Sequence, residues 1–300
     1  MADHLLAVTE QELFNTTLHG FQAMSIFILC ALFLVGSPYG SQTDYSGVLT
    51  VNGRVAWIAM ELVSPTVLAY SYFSQDPLSA LHSKAMLLPL ARDKGPQGSL
   101  VFVCLWMIHY LNRAIVYPLR QPSRKRMHIG IMISACMFNA VNGYLNGRWL
   151  GVVGPDTAAS GARGWRFVLG VLLFIAGFAG NIHHDNTLMR LRSKPSTGST
   201  AGEGGSGSTS NKLGRNGSGG SGRYLVPYGS LFAFVSCPHF FCEVVEWAGF
   251  AIASGSPAAW AFVLNVVCNL APRAYFIHQW YVRTFPEYPG SRKAMIPFVF

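Results

Sequence analysis

Asn181, Asp185 and Arg192 stand four and then seven residues apart in "GNIHHDNTLMRLR", where an apolar run ends. Those intervals place an amide, a carboxylate and a guanidinium on one face of a helix. Such a set can hydrogen-bond hydroxyl and amide groups and meet phosphate with its arginine. "MIHYLNRAIVYPLR" repeats the theme: His109, Arg113 and Tyr117 follow at intervals of four, and Tyr110 lies three residues before Arg113. An arginine within apolar sequence needs a partner, or must extend its stem to the interface. In "FVSCPHFFCEVVEWAGF", Glu243 and Glu246 are three residues apart, a carboxylate pair that could meet Arg113 or Arg273. Glu61 is a lone carboxylate in "WIAMELVSP", with Pro65 one turn later. In a dry cavity its acid form can donate a hydrogen bond. The last stretch, 269–300, contains Arg273, His278 and Tyr281 among aromatic rings, several of which suit a membrane interface.

The elements that must carry these groups are apolar helices. Of the 300 residues, 51% are apolar and only 12% are charged, about half the charge usual in a soluble domain. Seven nearly uncharged runs, 21–36, 55–73, 100–119, 128–145, 167–182, 231–253 and 258–282, approach the ~17–25 residues that cross ~30 Å of hydrocarbon as a helix. The expected fold is therefore all-α: a polytopic membrane protein, a seven-transmembrane-helix bundle forming one domain over residues 1–300. The apolar segment 78–90 is interrupted by His82, Lys84 and Pro89 and reads as interfacial or re-entrant. Residues 193–222, almost wholly Gly, Ser and Thr, read as a flexible loop. "GEGGSG" within it matches GxGxxG, but without a preceding strand and a following helix it is no dinucleotide fingerprint.

Basic residues set the orientation. Arg54, Arg120, Arg124, Lys125, Arg126, the cluster from Arg190 to Arg223, Arg283, Arg292 and Lys293 fall on one side of the seven runs. Fewer, among them Lys84, Arg92, Lys94, Arg148 and Arg163, fall on the other. The asymmetry predicts a lumenal N-terminus and a cytosolic C-terminus. The net charge of +9 is spread over loops with no recognition module, which argues against nucleic acid and for anionic lipid and a polyanionic cofactor. All six cysteines lie in apolar segments, and the spacing of "CPHFFC" fits no common zinc pattern, so neither disulfides nor a metal are expected. "NTT" at 15–17 is a glycosylation sequon on the predicted lumenal side.

In order along the chain, "GRVAWIAMELVSP", "IHYLNRAIVYPLR", "NIHHDNTLMRLR", "YGSLFAFVSCPHFFCEVVEWAGFA" and "RAYFIHQWYVRTFPEYPGSRKAMIPFVF" resemble the motifs of the steroid 5-alpha-reductase family. The resemblance covers roughly residues 37–300 apart from the Gly/Ser stretch. It implies a membrane-embedded, NADPH-dependent reductase of the endoplasmic reticulum that saturates the Δ4 double bond of a 3-oxo-Δ4 steroid or sterol enone. Glu61 and Tyr110 would be the catalytic pair, polarising the enone carbonyl while hydride reaches C5 and a proton reaches C4. Arg113, Tyr117, Asn181, Asp185, Arg192, Tyr224, His239, Glu243, Arg273, His278 and Tyr281 fall at positions the family uses around NADPH. Two departures stand out: Met60 in place of the glutamine of the animal steroid enzymes, and His239 where asparagine is usual. Alternative readings are a polyprenol or enoyl-thioester reductase of the same family, a prenylcysteine-type membrane methyltransferase using S-adenosylmethionine, and a transporter or structural membrane protein.

Overall fold

The computed structural model describes residues 2–35, 49–74, 99–122, 124–154, 164–193 and 225–300, which are mostly helical. Tyr224, the 78–90 segment and all but the first residue of the 193–222 loop lie outside the described residues. The helices are α1 (Ala2–Val35), α2 (Gly53–Phe73), α3 (Leu100–Tyr110), α4 (Tyr117–Arg120), α5 (Ile129–Arg148), α6 (Trp165–Ser193), α7 (Pro238–Ser254) and α8 (Pro257–Thr284). A π-helical stretch, Leu111–Val116, joins α3 to α4 without a break, and a second, Trp149–Val153, extends α5. One short antiparallel pair, β1 (Thr50–Val51) with β2 (Met127–His128), sets Thr50 against His128 and so starts α2 and α5 at one level.

Local chemistry explains where helices start and stop. Asn52 caps α2 by accepting the Arg54 and Val55 amides at 2.9 and 3.3 Å, and His128 caps α5 through Nδ1. Gly255, at φ 64°, ends α7 in the left-handed conformation. Ser256 then caps α8, with Pro257 at its first position. The expected run 231–253 is helical only from Pro238. Upstream, Ser230–Ala233 forms one 3₁₀ turn, and Ser236 and Cys237 donate their amides to the Lys293 and Ala294 carbonyls instead.

Among the described residues, four stretches are long and apolar enough to cross a membrane: Glu10–Leu34, Leu100–Arg120, Trp165–Arg192 and Pro257–Thr284. The expected runs 55–73 and 128–145 coincide with α2 and α5, which carry polar faces, and α7 has only 17 residues. The first span begins earlier than the expected 21–36. Glu10 pairs with the fully buried Arg148 of α5, so its charge no longer ends the apolar stretch, while Phe14, Leu18 and Phe21 pack inward. The sequon at Asn15 therefore lies inside a continuous helix.

Polar ties and close approach hold the bundle together. Arg148 also donates to the Ser71 and Ser74 carbonyls at 3.3 and 2.7 Å, and Asn139 donates to the Met60 carbonyl at 2.7 Å. Asn265 of α8 reaches Ser25 of α1 at 3.1 Å. Around them Trp106, Trp247, Phe250 and Phe262 make an aromatic core, with Trp106 and Trp247 centroids 4.9 Å apart. Backbones approach where side chains are absent: a Cβ on Gly143 would lie 2.6 Å from the Ser64 carbonyl, and one on Gly147 2.6 Å from that of Leu68. Between α6 and α7, a Cβ on Gly177 would collide with the backbones of Glu246 and Cys242. Overpacking such a seam costs about 1–3 kcal/mol. Gly177→Ala is therefore expected to lower the thermal midpoint of the detergent-solubilised protein by several degrees. Gly20→Ala, whose added carbon meets nothing within 4 Å, is the control and should leave the midpoint unchanged or raise it.

Candidate active site

The π-helical stretch is the pivot of the site. In its register the Tyr117 amide bonds to the Asn112 carbonyl, five residues back. The next donor in that register would be residue 118, which is proline and has no N–H. The Arg113 carbonyl left over accepts from the Trp57 indole of α2 at 3.0 Å. The Arg113 guanidinium, thus anchored at its backbone, reaches Asp185 of α6 at 3.8 Å and Glu243 of α7 at 3.7 Å. Its carbon lies 5.0 Å from the Trp57 ring and 5.1 Å from the Tyr117 ring.

Arg124 also lies over Trp57, 3.8 Å from the ring centroid, and approaches Tyr117 at 5.8 Å. Its Nη1 is buried with no hydrogen-bond partner among the described residues, and the same holds for Nε of Arg54, whose Nη2 donates to the Gln121 carbonyl at 2.7 Å. Burial, reinforced by the nearby Arg113 charge, pushes Arg124 down to about 10, so it is still a cation at neutral pH. Arg192, at the exposed end of α6, lies within Coulombic reach of Asp185, Tyr117 and Arg124. Arg113 is thus met by two carboxylates, whereas Arg54 and Arg124 make no ion pair among the described residues, and unpaired buried guanidinium groups are the electrostatic signature of an anion site.

Asn181 and Asp185 share a buried face of α6. The Asn181 amide donates to the His239 carbonyl at 3.0 Å and approaches Glu243 at 3.5 Å. It is the backbone of His239 that makes this contact; its ring Nδ1 is buried without a partner among the described residues. His184, next in line, bonds the Gly180 carbonyl at 2.6 Å and the Ser230 hydroxyl at 3.2 Å, which ties the Ser230–Ala233 turn to α6.

Glu61 of α2 and Tyr110 of α3 lie within Coulombic reach of one another. Tyr110 is buried, stacks on Trp106 at 5.6 Å and has Glu61 and the Ser64 hydroxyl as polar neighbours. Pro65 lacks the N–H that would bond the Glu61 carbonyl four residues earlier. Arg113, His109 and Glu243 all lie within Coulombic reach of the Glu61 carboxyl. Of the two acidic residues expected to meet an arginine, Glu243 does so, whereas Glu246 bonds His109 at 2.7 Å.

A third cluster sits where the 285–300 tail folds back. The Ser236 hydroxyl is 2.7 Å from His278 Nδ1 and 2.7 Å from the Tyr288 hydroxyl. Tyr281 stacks on Tyr288 at 5.2 Å, and buried Arg292 lies over Tyr228 and Tyr288 while donating to the Pro227 carbonyl. Arg273 follows the in-helix Pro272 and is partly buried in α8. The structure therefore gathers Glu61, Tyr110, Arg113, Tyr117, Asn181, Asp185, His239 and Glu243 at one location, with Arg192 at its rim. His278 and Tyr281 belong to the neighbouring tail cluster. Trp57, Arg54, Arg124, Ser236 and Tyr288 were not singled out from sequence. Arg124 carried a signal, as part of "RKR" just past an apolar run, but that pattern equally marks a membrane flank.

The chain is similar to known proteins over most of its length. Residues 125–209 and 206–300 match the family described as 3-oxo-5-alpha-steroid 4-dehydrogenase. Steroid 5-alpha-reductase DET2 of Arabidopsis thaliana is 34% identical over 271 residues, 88% of each chain. The human protein named 3-oxo-5-alpha-steroid 4-dehydrogenase 1 is 32% identical over 279 residues, 90% of this chain and 91% of its own. An uncharacterized protein of Schizosaccharomyces pombe is 33% identical over 290 residues, 92% of this chain and 96% of its own. With the family match over more than half of the chain and similarity over about nine-tenths of its length, the chain belongs to the 3-oxo-5-alpha-steroid 4-dehydrogenase family of oxidoreductases.

Proposed function

We propose that the protein is an NADPH-dependent reductase that saturates the Δ4 bond of a 3-oxo-Δ4 steroid or sterol enone. The observation that carries the reading is the placement of Glu61 and Tyr110 beside the cluster of Arg113, Arg124, Asp185 and Glu243. The donor set fits a dinucleotide phosphate. Arg54 and Arg124 have buried N–H groups still to be satisfied, Trp57 and Tyr117 offer ring faces, and Asn181 and Asp185 suit amide and hydroxyl groups. Arg113, Tyr117, Arg192, Tyr224, His239, Glu243, Arg273, His278 and Tyr281 complete the proposed cofactor set. When bound, NADPH would supply the hydride.

The protein's own residues do the rest. Glu61, as an acid, and Tyr110 donate hydrogen bonds to the enone oxygen and hold the negative charge that grows there as C5 is reduced. Trp106, Trp247 and Phe250 keep water from this end of the site, which strengthens both bonds. The proton for C4 comes from solvent. The bundle would cross the endoplasmic-reticulum membrane seven times as a single domain, with a lumenal N-terminus and cytosolic C-terminus. That orientation puts Arg54, Arg124 and Arg192 on the cytosolic side, where the cofactor enters.

Two experiments test the reading. Purified protein should oxidise NADPH with a Δ4-3-ketosteroid or sterol enone in preference to a polyprenol, and Glu61→Gln should lower kcat roughly 10²-fold or more; unchanged turnover in that variant would exclude the polarising role. NADPH should raise the thermal midpoint and S-adenosylmethionine should not. Arg124→Ala should weaken NADPH binding about tenfold, the scale of one charge-assisted hydrogen bond, and equal NADPH protection of variant and parent would remove Arg124 from the site.

A further inference from the structure

His109 and Glu246 are left over from the chemistry above, yet they form a tight contact deep in the bundle. Nδ1 of His109 lies 2.7 Å from Oε1 of Glu246, with relative exposures of 5% and 0%. Placing two ionisable groups there is costly, and an apolar pair of like volume is often as stable or more so. Stability alone does not account for the pair.

Its surroundings do. His109 precedes Tyr110, and their rings meet edge to face with centroids 5.0 Å apart. On its other side the imidazole packs against Trp247 at 4.5 Å, and Trp247 in turn lies 4.9 Å from Trp106, which stacks on Tyr110. The Tyr110 ring is thus enclosed by His109, Trp106 and Trp247. His109 is held by its bond to Glu246 and Trp106 by a bond from its indole N–H to the Ser64 hydroxyl at 3.3 Å, whereas the Trp247 Nε1 has no partner among the described residues. Glu246 is itself fixed by the α6–α7 seam, where the missing side chain of Gly177 admits its backbone.

We propose that His109 and Glu246 are positioning residues: their hydrogen bond locks the imidazole wall that holds the Tyr110 hydroxyl at the enone oxygen. This rests on the reductase reading for its consequence in turnover, but the placement of the ring is a property of the resting protein. A misplacement of the order of an ångström at a polarising group costs roughly ten- to a hundredfold in rate.

The deciding variant is the double replacement His109→Phe with Glu246→Leu, which removes the bond while leaving no buried charge. It should keep the parent's thermal midpoint and NADPH dissociation constant, yet lose roughly ten- to a hundredfold in kcat at saturating enone. Glu246→Gln retains an acceptor for the imidazole and should stay within about threefold of the parent. A ¹⁹F resonance from 3-fluorotyrosine at position 110, recorded without substrate, should shift or broaden in the double variant and stay in place in Glu246→Gln. Full kcat and an unmoved resonance in the double variant, or equal loss in Glu246→Gln, would overturn the proposal and leave the pair as helix glue. Should the parent reduce no enone at all, the reductase reading fails, while the fluorine resonance still decides whether the pair positions Tyr110.

Discussion

A guanidinium inside an apolar bundle must be met by opposite charge, and the site is organised around the one at Arg113. Its partners, Asp185 and Glu243, come from α6 and α7, so satisfying one cation fixes three chain segments relative to one another. Insertion of each charged group at the bilayer centre costs ~2.5–3.5 kcal/mol on translocon scales. The π-helical turn exists at the same place, and Trp57 repairs the carbonyl that Pro118 leaves free. A π-helical turn and buried charge meet where the chemistry is proposed to occur, and the same two features meet again at Arg148 and the Trp149–Val153 turn, where they serve packing.

Close approach of backbones is what makes those contacts reachable. Glycines let α2 lie against α5 and α6 against α7 with no side chain between them. The first seam brings Glu61 and Ser64 to the level of α5, and the second brings Asn181 and Asp185 within range of Glu243. An additional methyl at Gly177 would displace the backbone that carries Glu246, so packing and electrostatics are coupled through single residues. The polar ends of the bundle follow the same logic, with Arg148 holding α1, α2 and α5 together through Glu10 and two backbone carbonyls.

Much of this was legible in the sequence because it depends on local pattern. The apolar runs locate helices, and the four- and seven-residue intervals of Asn181, Asp185 and Arg192 report a shared helical face before any contact is known. What escaped depends on partners distant in the chain. Equal spacing of His109, Arg113 and Tyr117 implies one α-helical stripe, but the π-turn between them sends His109 to Glu246 and Arg113 to Glu243, and nothing in the hydrophobic period marks it. The expected first span begins only at Phe21 because Glu12, Asn15 and His19 make the preceding turns polar, although Phe14 and Leu18 on their other face pack inward. Trp57 reads as one more apolar residue, and only the surrounding Arg113, Arg124 and Tyr117 reveal it as the platform of the cationic pocket.

The central claim is that this pocket delivers hydride to an enone whose oxygen is held by Glu61 and Tyr110. Reduction of a Δ4-3-ketosteroid with NADPH deuterated at the nicotinamide C4 position, analysed by mass spectrometry and ²H NMR of the product, tests it most directly. The account predicts one deuterium at C5 and, in D₂O with unlabelled NADPH, one at C4. A saturated product with no cofactor-derived deuterium at C5, or deuterium on the carbinol carbon of a reduced ketone, would contradict it.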